Sequence, residues 1–206
     1  MKIAIIGTGN IGGRLAKGWA AAGHDILLGS REPDGEKARA IVANHPARIH
    51  AHTIRAAVEP AEAIAVAVHP PVLQEVCGQL GAVGERVILD TMNTMFRKPE
   101  PYTTTAAALA GWTGSKRVVK ILNNTGAENI ENPNYDGLAL DTFYCGDDEA
   151  AKAIAAGLAR DLGFVARDAG GLENAALLEN FAALWVTLAM KQGLGRDIGF
   201  KLLERQ

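Results

Sequence analysis

"IAIIGTGNIGGRLA", residues 3–16, is the stretch whose reading decides the fold. It opens on four apolar residues, Ile3 to Ile6, mostly β-branched and continuous, as in a strand covered on both faces. Glycines follow at Gly7, Gly9 and Gly12, and then Leu15, Ala16, Trp19, Ala20 and Gly23 recur at helical spacing. Strand, glycine turn and helix, in that order, are the setting in which a G-x-G-x-x-G pattern holds a dinucleotide. Gly7 permits the tight exit from the strand. Gly9 removes a side chain where a pyrophosphate approaches the backbone, and Gly12 lets the helix pack close to the sheet. The helix start, at Asn10 and Ile11, offers free N–H groups to the phosphates.

The second strand, His24 to Leu28, decides which dinucleotide. An NAD-selective site carries Asp or Glu at its end, about 20 residues beyond the glycines, to hold the ribose 2′-hydroxyl. Here residues 26–32 read "ILLGSRE". Ser30 and Arg31 occupy the slot, a hydroxyl and a guanidinium suited to a 2′-phosphate. Lys37, on the next helical stretch, adds positive charge, and Glu32 is expected to point away. The predicted cofactor is NADP(H).

Strand-like runs recur at 48–52, 63–68, 86–90, 118–122, 141–145 and 164–167, and helical ones at 34–44, after Pro70-Pro71, and at 147–162. This alternation predicts an α/β fold, a doubly wound parallel-sheet Rossmann domain over residues 1–168. Residues 169–206 are read as a small C-terminal helical part: one long helix, Leu172 to Met190, and a glycine-punctuated tail. Thr91 to Gly114, with Pro99 and Pro101, is read as an irregular excursion on the working side of the sheet.

Ligands of open α/β sheets lie beyond the carboxyl ends of the strands. The later strand ends bring Val68, His69, Asn93 and Asn123 to that edge. Asn93 and Asn123 can hydrogen-bond a carboxamide. His69 is read as a ribose or nicotinamide contact rather than as a catalytic acid, and no catalytic acid or base is assigned. Glu173 and Glu179, on the long helix, have no evident partner. His50 and His52 alternate on a strand without a third ligand nearby, so no metal site is predicted.

The chain has 206 residues, 48% of them hydrophobic, and a formal net charge of -2. That balance gives no electrostatic case for nucleic acid or an anionic membrane. Cys77 and Cys145 lie far apart and are expected as buried reduced thiols. With no signal peptide and no apolar run of membrane-spanning length, a cytoplasmic protein is expected.

Residues 3–16 and 21–31 ("AAGHDILLGSR"), with "CGDDEAAKAI" (145–154), "RDAGGLENAALLEN" (167–180) and "QGLGRDIGFKLL" (192–203), resemble the NADPH-dependent coenzyme F-420 reductase family. The same unit resembles the cytosolic domain of the six-transmembrane ferric reductases, through "VKILN" (119–123) and an Asp-x-x-Asn at Asp90 to Asn93. The resemblance implies hydride transfer between the nicotinamide and coenzyme F-420 or a flavin as co-substrate, in a cleft under the C-terminal part of a homodimer. It places Thr8, Gly9, Asn10 and Ile11 on the pyrophosphate, Ser30 and Arg31 on the 2′-phosphate, and the Ala127 backbone near the nicotinamide. The chain departs from the family at 123–127, where Asn-Asn-Thr-Gly-Ala replaces His-Thr-Ile-Pro-Ala beside the acceptor. Two further readings stay open. One is an NADPH-dependent reductase of a small hydroxyacid or imine, although residues 171–190 lack the lysine that hydroxyacid dehydrogenases place there. The other is a non-catalytic NADP(H)-sensing dimer.

Overall fold

A computed structural model describes residues 1–95 and 97–205. Its first half runs β1 (Lys2–Ile6), α1 (Asn10–Ala21), β2 (Asp25–Gly29), α2 (Glu36–Val42), β3 (Ile49–His52), α3 (Ile54–Val58), β4 (Ala63–Val66), α4 (Leu73–Leu80) and β5 (Val87–Asp90). It continues through α5 (Thr105–Thr113), β6 (Val118–Lys120), α6 (Ala127–Glu131), a small hairpin of β7 (Asn134–Tyr135) and β8 (Leu138–Ala139), β9 (Asp141–Gly146), α7 (Glu149–Asp161), β10 (Val165–Asp168) and α8 (Ala175–Val186).

Ile3 to Ile6 are fully buried because β1 has a parallel neighbour on each side, β2 and β4, and a helical layer over each face. Alternate side chains feed the two layers. Ile3 and Ile5 join Leu15, Ala16 and Trp19 of α1 and Ala155 and Leu158 of α7. Ala4 and Ile6 join Ala57 of α3, Leu73 and Val76 of α4, Leu109 of α5 and Leu178 of α8. A continuous apolar run is thus a strand whose every residue has a core to enter. Trp19, fully buried, also donates its indole N–H to the Leu158 carbonyl at 2.8 Å, tying α1 to α7.

The strand order is β10-β9-β6-β5-β4-β1-β2-β3. The winding reverses between β1 and β4, which is the topological switch point. The doubly wound Rossmann plan is therefore present, with one difference from an all-parallel sheet: β9 pairs antiparallel with β6. The chain returns from β6 through α6 and the hairpin and enters β9 from the opposite end. The α7 crossover then restores a parallel pair, β9 with β10.

Three other expectations change. The excursion after β5 contains a helix, α5, capped by Thr104, whose side chain accepts from the Ala107 N–H. The long C-terminal helix is three pieces: a 3-10 turn at Leu172–Asn174, α8, and a π turn at Thr187–Lys191. β6 stops at Lys120, and Leu122 sits in the left-handed region at φ 58°, a strained conformation for a branched residue. Among the described residues, no helix is long and apolar enough to cross a membrane.

Candidate functional site

The carboxyl ends of β1, β2 and β4 border one cavity of about 570 Å³. Gly7 makes the opening possible. Its φ is 124°, and a Cβ there would stand 2.3 Å from the Ala67 carbonyl oxygen, just past β4. Gly12 has a similar steric duty, since a Cβ would stand 2.1 Å from the Gly7 oxygen, so the helix closes on the turn before it as much as on the sheet. Gly9 differs: a Cβ there would meet nothing within 4 Å. It is the N-cap of α1, without a side-chain cap, and the first turn holds no acidic residue. The orphan N–H groups and positive dipole end of a 12-residue helix therefore face the glycine turn.

Of the sequence-predicted residues, Gly7, Thr8, Gly9, Ser30, Arg31, Lys37, Val68 and His69 line this cavity. Asn10 lies on its outer side, in a second depression with Thr8, Gly9 and Lys37, and its carboxamide oxygen accepts from Arg14 Nε at 2.9 Å. Ile11 turns its side chain toward the core, leaving its backbone at the helix start, and Gly12 is buried. Ser30 Oγ accepts the Glu32 N–H at 3.1 Å, which turns the chain at the tip of β2. Glu32, expected to point away, lines the cavity as well and folds over Gly35. Among the described residues neither Arg31 nor Lys37 is in an ion pair. The cavity thus offers helix N–H groups, a hydroxyl and two available cations, the chemistry that holds a phosphate-bearing ligand.

Asn93, Asn123 and Ala127 stand apart from that cavity, at the ends of β5 and β6. Asn93 and Asn123 grip each other: Asn93 Nδ2 donates to the Asn123 carbonyl and Asn123 Nδ2 to Asn93 Oδ1, both at 2.8 Å. Asn123 Nδ2 also donates to the Leu178 carbonyl at 3.1 Å, while Asn123 Oδ1 is buried without a partner. Ala127 is buried at the head of α6. The residue before it, Gly126, admits the Trp185 ring, whose edge would lie 2.7 Å from a Cβ. A bulkier residue there would displace Trp185.

The largest correction concerns Glu179. It is buried, and it does have partners. Lys120, fully buried on β6, places Nζ 2.8 Å from Asp90 Oδ2, 3.0 Å from Glu179 Oε1, 3.0 Å from Thr105 Oγ1 and 2.9 Å from the Met92 carbonyl. Glu179 also accepts the N–H groups of Thr94 and Thr105, each at 3.1 Å, and the Thr94 hydroxyl. Glu173, by contrast, turns back over Gly171. The signal was in the sequence: a lysine inside an apolar strand and a lone acid on an alanine- and leucine-rich helix each need a buried counter-charge.

Burial pushes the Glu179 carboxyl up, but the Lys120 charge and the Thr94 and Lys120 hydrogen bonds outweigh it, and its pKa ends below the usual value. A folded value below the unfolded one, about 4.3, contributes stability above that pH and loses it as pH falls through the folded value. The stability gap between the native chain and Glu179→Gln should therefore be full at pH 7 and shrink below about pH 4. Urea titrations at both pH values check this, and a constant gap would refute it. Cys77 and Cys145 are free and buried, and burial pushes their thiols up to about 11 and about 12. They are held as neutral thiols.

Residues 2–94, from β1 to just past β5, match the model of the family described as NADP oxidoreductase, coenzyme F420-dependent. The F420-dependent NADP reductase of Methanothermobacter marburgensis is 29% identical over 98% of each chain. The metalloreductase STEAP3 of Rattus norvegicus is 26% identical over 86% of this chain and 36% of its own, so the chain spans about a third of that relative. Among solved structures, one from Arthrobacter sp. FB24, provisionally assigned as an F420-dependent NADP reductase, superposes with a TM-score of 0.88. It is 25% identical and is covered in full by 99% of this chain. Residues 2–94 are thus similar to the coenzyme F420-dependent NADP oxidoreductase family, and the whole chain is similar to the M. marburgensis reductase.

Proposed function

We propose that this protein is an NADP(H)-dependent oxidoreductase whose second substrate is a planar ring cofactor, coenzyme F-420 or a flavin. The observation that carries the NADP part is the pair of cations at the tip of β2, Arg31 and Lys37, which border the cavity with Ser30 and with the acids Glu32 and Glu36. NADP(H) fits the residues present. The open space at Gly9 and the uncapped start of α1 suit its diphosphate, with Thr8, Asn10 and Ile11 alongside. Arg31 and Ser30 suit its 2′-phosphate, and Val68 and His69 continue the cavity toward the second half of the sheet. The adenosine side then lies over β1 and β2, and the nicotinamide side over β4 to β6, near Asn93, Asn123 and Ala127. The family match and the named co-substrate of the M. marburgensis relative support a ring acceptor.

The nicotinamide supplies or takes up a hydride. The protein's task is to hold two flat rings with the donor and acceptor carbons about 3–3.5 Å apart and to keep water from between them. Mixing the protein with NADPH and, separately, a flavin or a deazaflavin should oxidise NADPH with one of them, followed by absorbance under argon. Oxidation with neither would overturn the ring acceptor. The exposed side chains of Leu177, Leu184, Met190 and Leu194 on α8 and the segment after it support a second copy of the chain as partner. Light scattering should give twice the chain mass; the mass of one chain would exclude the dimer.

A further inference from the structure

The two asparagines at the ends of β5 and β6 are not oriented by the sheet alone. One turn of α8 reaches both. The Leu178 carbonyl accepts Asn123 Nδ2, and the next residue, Glu179, holds the backbone N–H and hydroxyl of Thr94, directly after Asn93. Asn93 and Asn123 then lock each other through two 2.8 Å bonds. These contacts fix the Asn123 carboxamide. Both of its N–H protons are spent, so its oxygen must be the end left over, and that oxygen is buried and unpartnered. A buried acceptor without a donor is costly, and a ligand that brings a donor is one way to complete it. Behind the turn, Lys120 and Asp90 anchor Glu179 to the sheet with no solvent access to the ammonium.

We infer that Glu179 is a positioning residue of the nicotinamide subsite: through Thr94 and the Asn93–Asn123 pair it holds Asn123 Oδ1 ready for an amide N–H donor of the ligand. This rests on the NADP(H) reading and adds to it a working part for the C-terminal helix. The nicotinamide carboxamide is the amide donor that this dinucleotide carries. Glu179 touches no ligand itself; it sets the angle of the group that does.

The test separates the two ends of the ligand. NADPH and 2′-phospho-ADP-ribose, which lacks nicotinamide, are titrated calorimetrically into the native chain, Glu179→Gln, Thr94→Val and Asn123→Leu, below each variant's melting temperature. Asn123→Leu should bind NADPH about tenfold more weakly, the cost of one hydrogen bond. Glu179→Gln should follow in the same direction. All three variants should bind 2′-phospho-ADP-ribose within about twofold of the native chain. Thr94→Val keeps the buried charges paired, so it reports on positioning even if Glu179→Gln folds poorly, and it too should weaken NADPH alone. Equal weakening of both ligands, or no change in NADPH binding by Thr94→Val and Asn123→Leu, would overturn the inference. A native chain that binds neither ligand would overturn the NADP(H) reading itself, and this inference with it.

Discussion

Arg31→Asp should invert the cofactor preference. In the native chain the guanidinium sits at the tip of β2, on the cavity, free of ion pairs among the described residues. It is well placed for a bidentate grip on a 2′-phosphate. Loss of charged hydrogen bonds costs about 1.5–3 kcal/mol, so NADPH affinity should fall by about 10- to 150-fold. The new carboxylate adds repulsion toward the phosphate, and it offers an acceptor to the free 2′-hydroxyl of NADH, whose affinity should rise. Lys37 and Ser30 remain, so NADPH binding is weakened rather than abolished. Glu32 and Glu36 line the same cavity, which makes Arg31 and Lys37 together the balance against two acids. Removing one of the two cations tips that balance toward the anionic side. The ratio of the two dissociation constants is the measurement, and an unchanged ratio would remove Arg31 from the site. Stability should hardly move, because Arg31 is an exposed residue on a turn.

The part of the site that carries this prediction was legible in the sequence because it is local. Glycine spacing, the apolar run of β1 and the residues at the tip of β2 all act within about 30 residues, and their backbone and charge requirements follow from the order of the residues. The side proposed for the nicotinamide was only half legible. Asn93 and Asn123 could be named as strand-end amides, but their mutual bonds and the Leu178 contact depend on where α8 docks, and no spacing rule states that. The antiparallel β9 escaped for the same kind of reason: "DTFYC" has strand composition, whereas its direction is set by the length and path of residues 121–140. The break in the long helix escaped because Leu172 to Met190 reads as helix-forming throughout, and the π turn at its end answers to packing of the tail against Trp185, whose indole donates to the Ile198 carbonyl at 2.8 Å. Glu179 is the clearest case. Its partner, Lys120, lies 59 positions away by subtraction of the residue numbers, and only the fold brings the two charges to 3.0 Å.

Lys120→Met should be the most damaging single substitution for stability. Nζ is the one cation, among the described residues, within ion-pair distance of the buried Asp90 or Glu179 carboxylates. Methionine fills much the same volume, so the effect is electrostatic rather than a cavity. Two carboxylates would be left facing each other across Thr105 with no compensating charge, and breaking a buried pair in this way costs about 3–5 kcal/mol. For a chain of this length that lowers the melting temperature by roughly 6–20 °C. The pH dependence identifies the cause. With the ammonium gone, burial is no longer offset by the Lys120 charge, and the folded-state pKa of Glu179 rises above its unfolded value, about 4.3. A carboxylate with a raised folded value destabilises the fold at neutral pH and stops doing so as pH falls and it takes up a proton. The deficit of Lys120→Met should therefore narrow between pH 7 and pH 5, whereas a packing defect would be the same at both. Lys120→Arg keeps the charge but must fit a larger planar group into a fully buried site, so it should recover only part of the loss. Thermal unfolding of the native chain and both variants at the two pH values gives the answer. A pH-independent deficit would mean that the ion pair is incidental and that the anchoring of α8 to the sheet rests on Leu178, Ala182 and Trp185 alone.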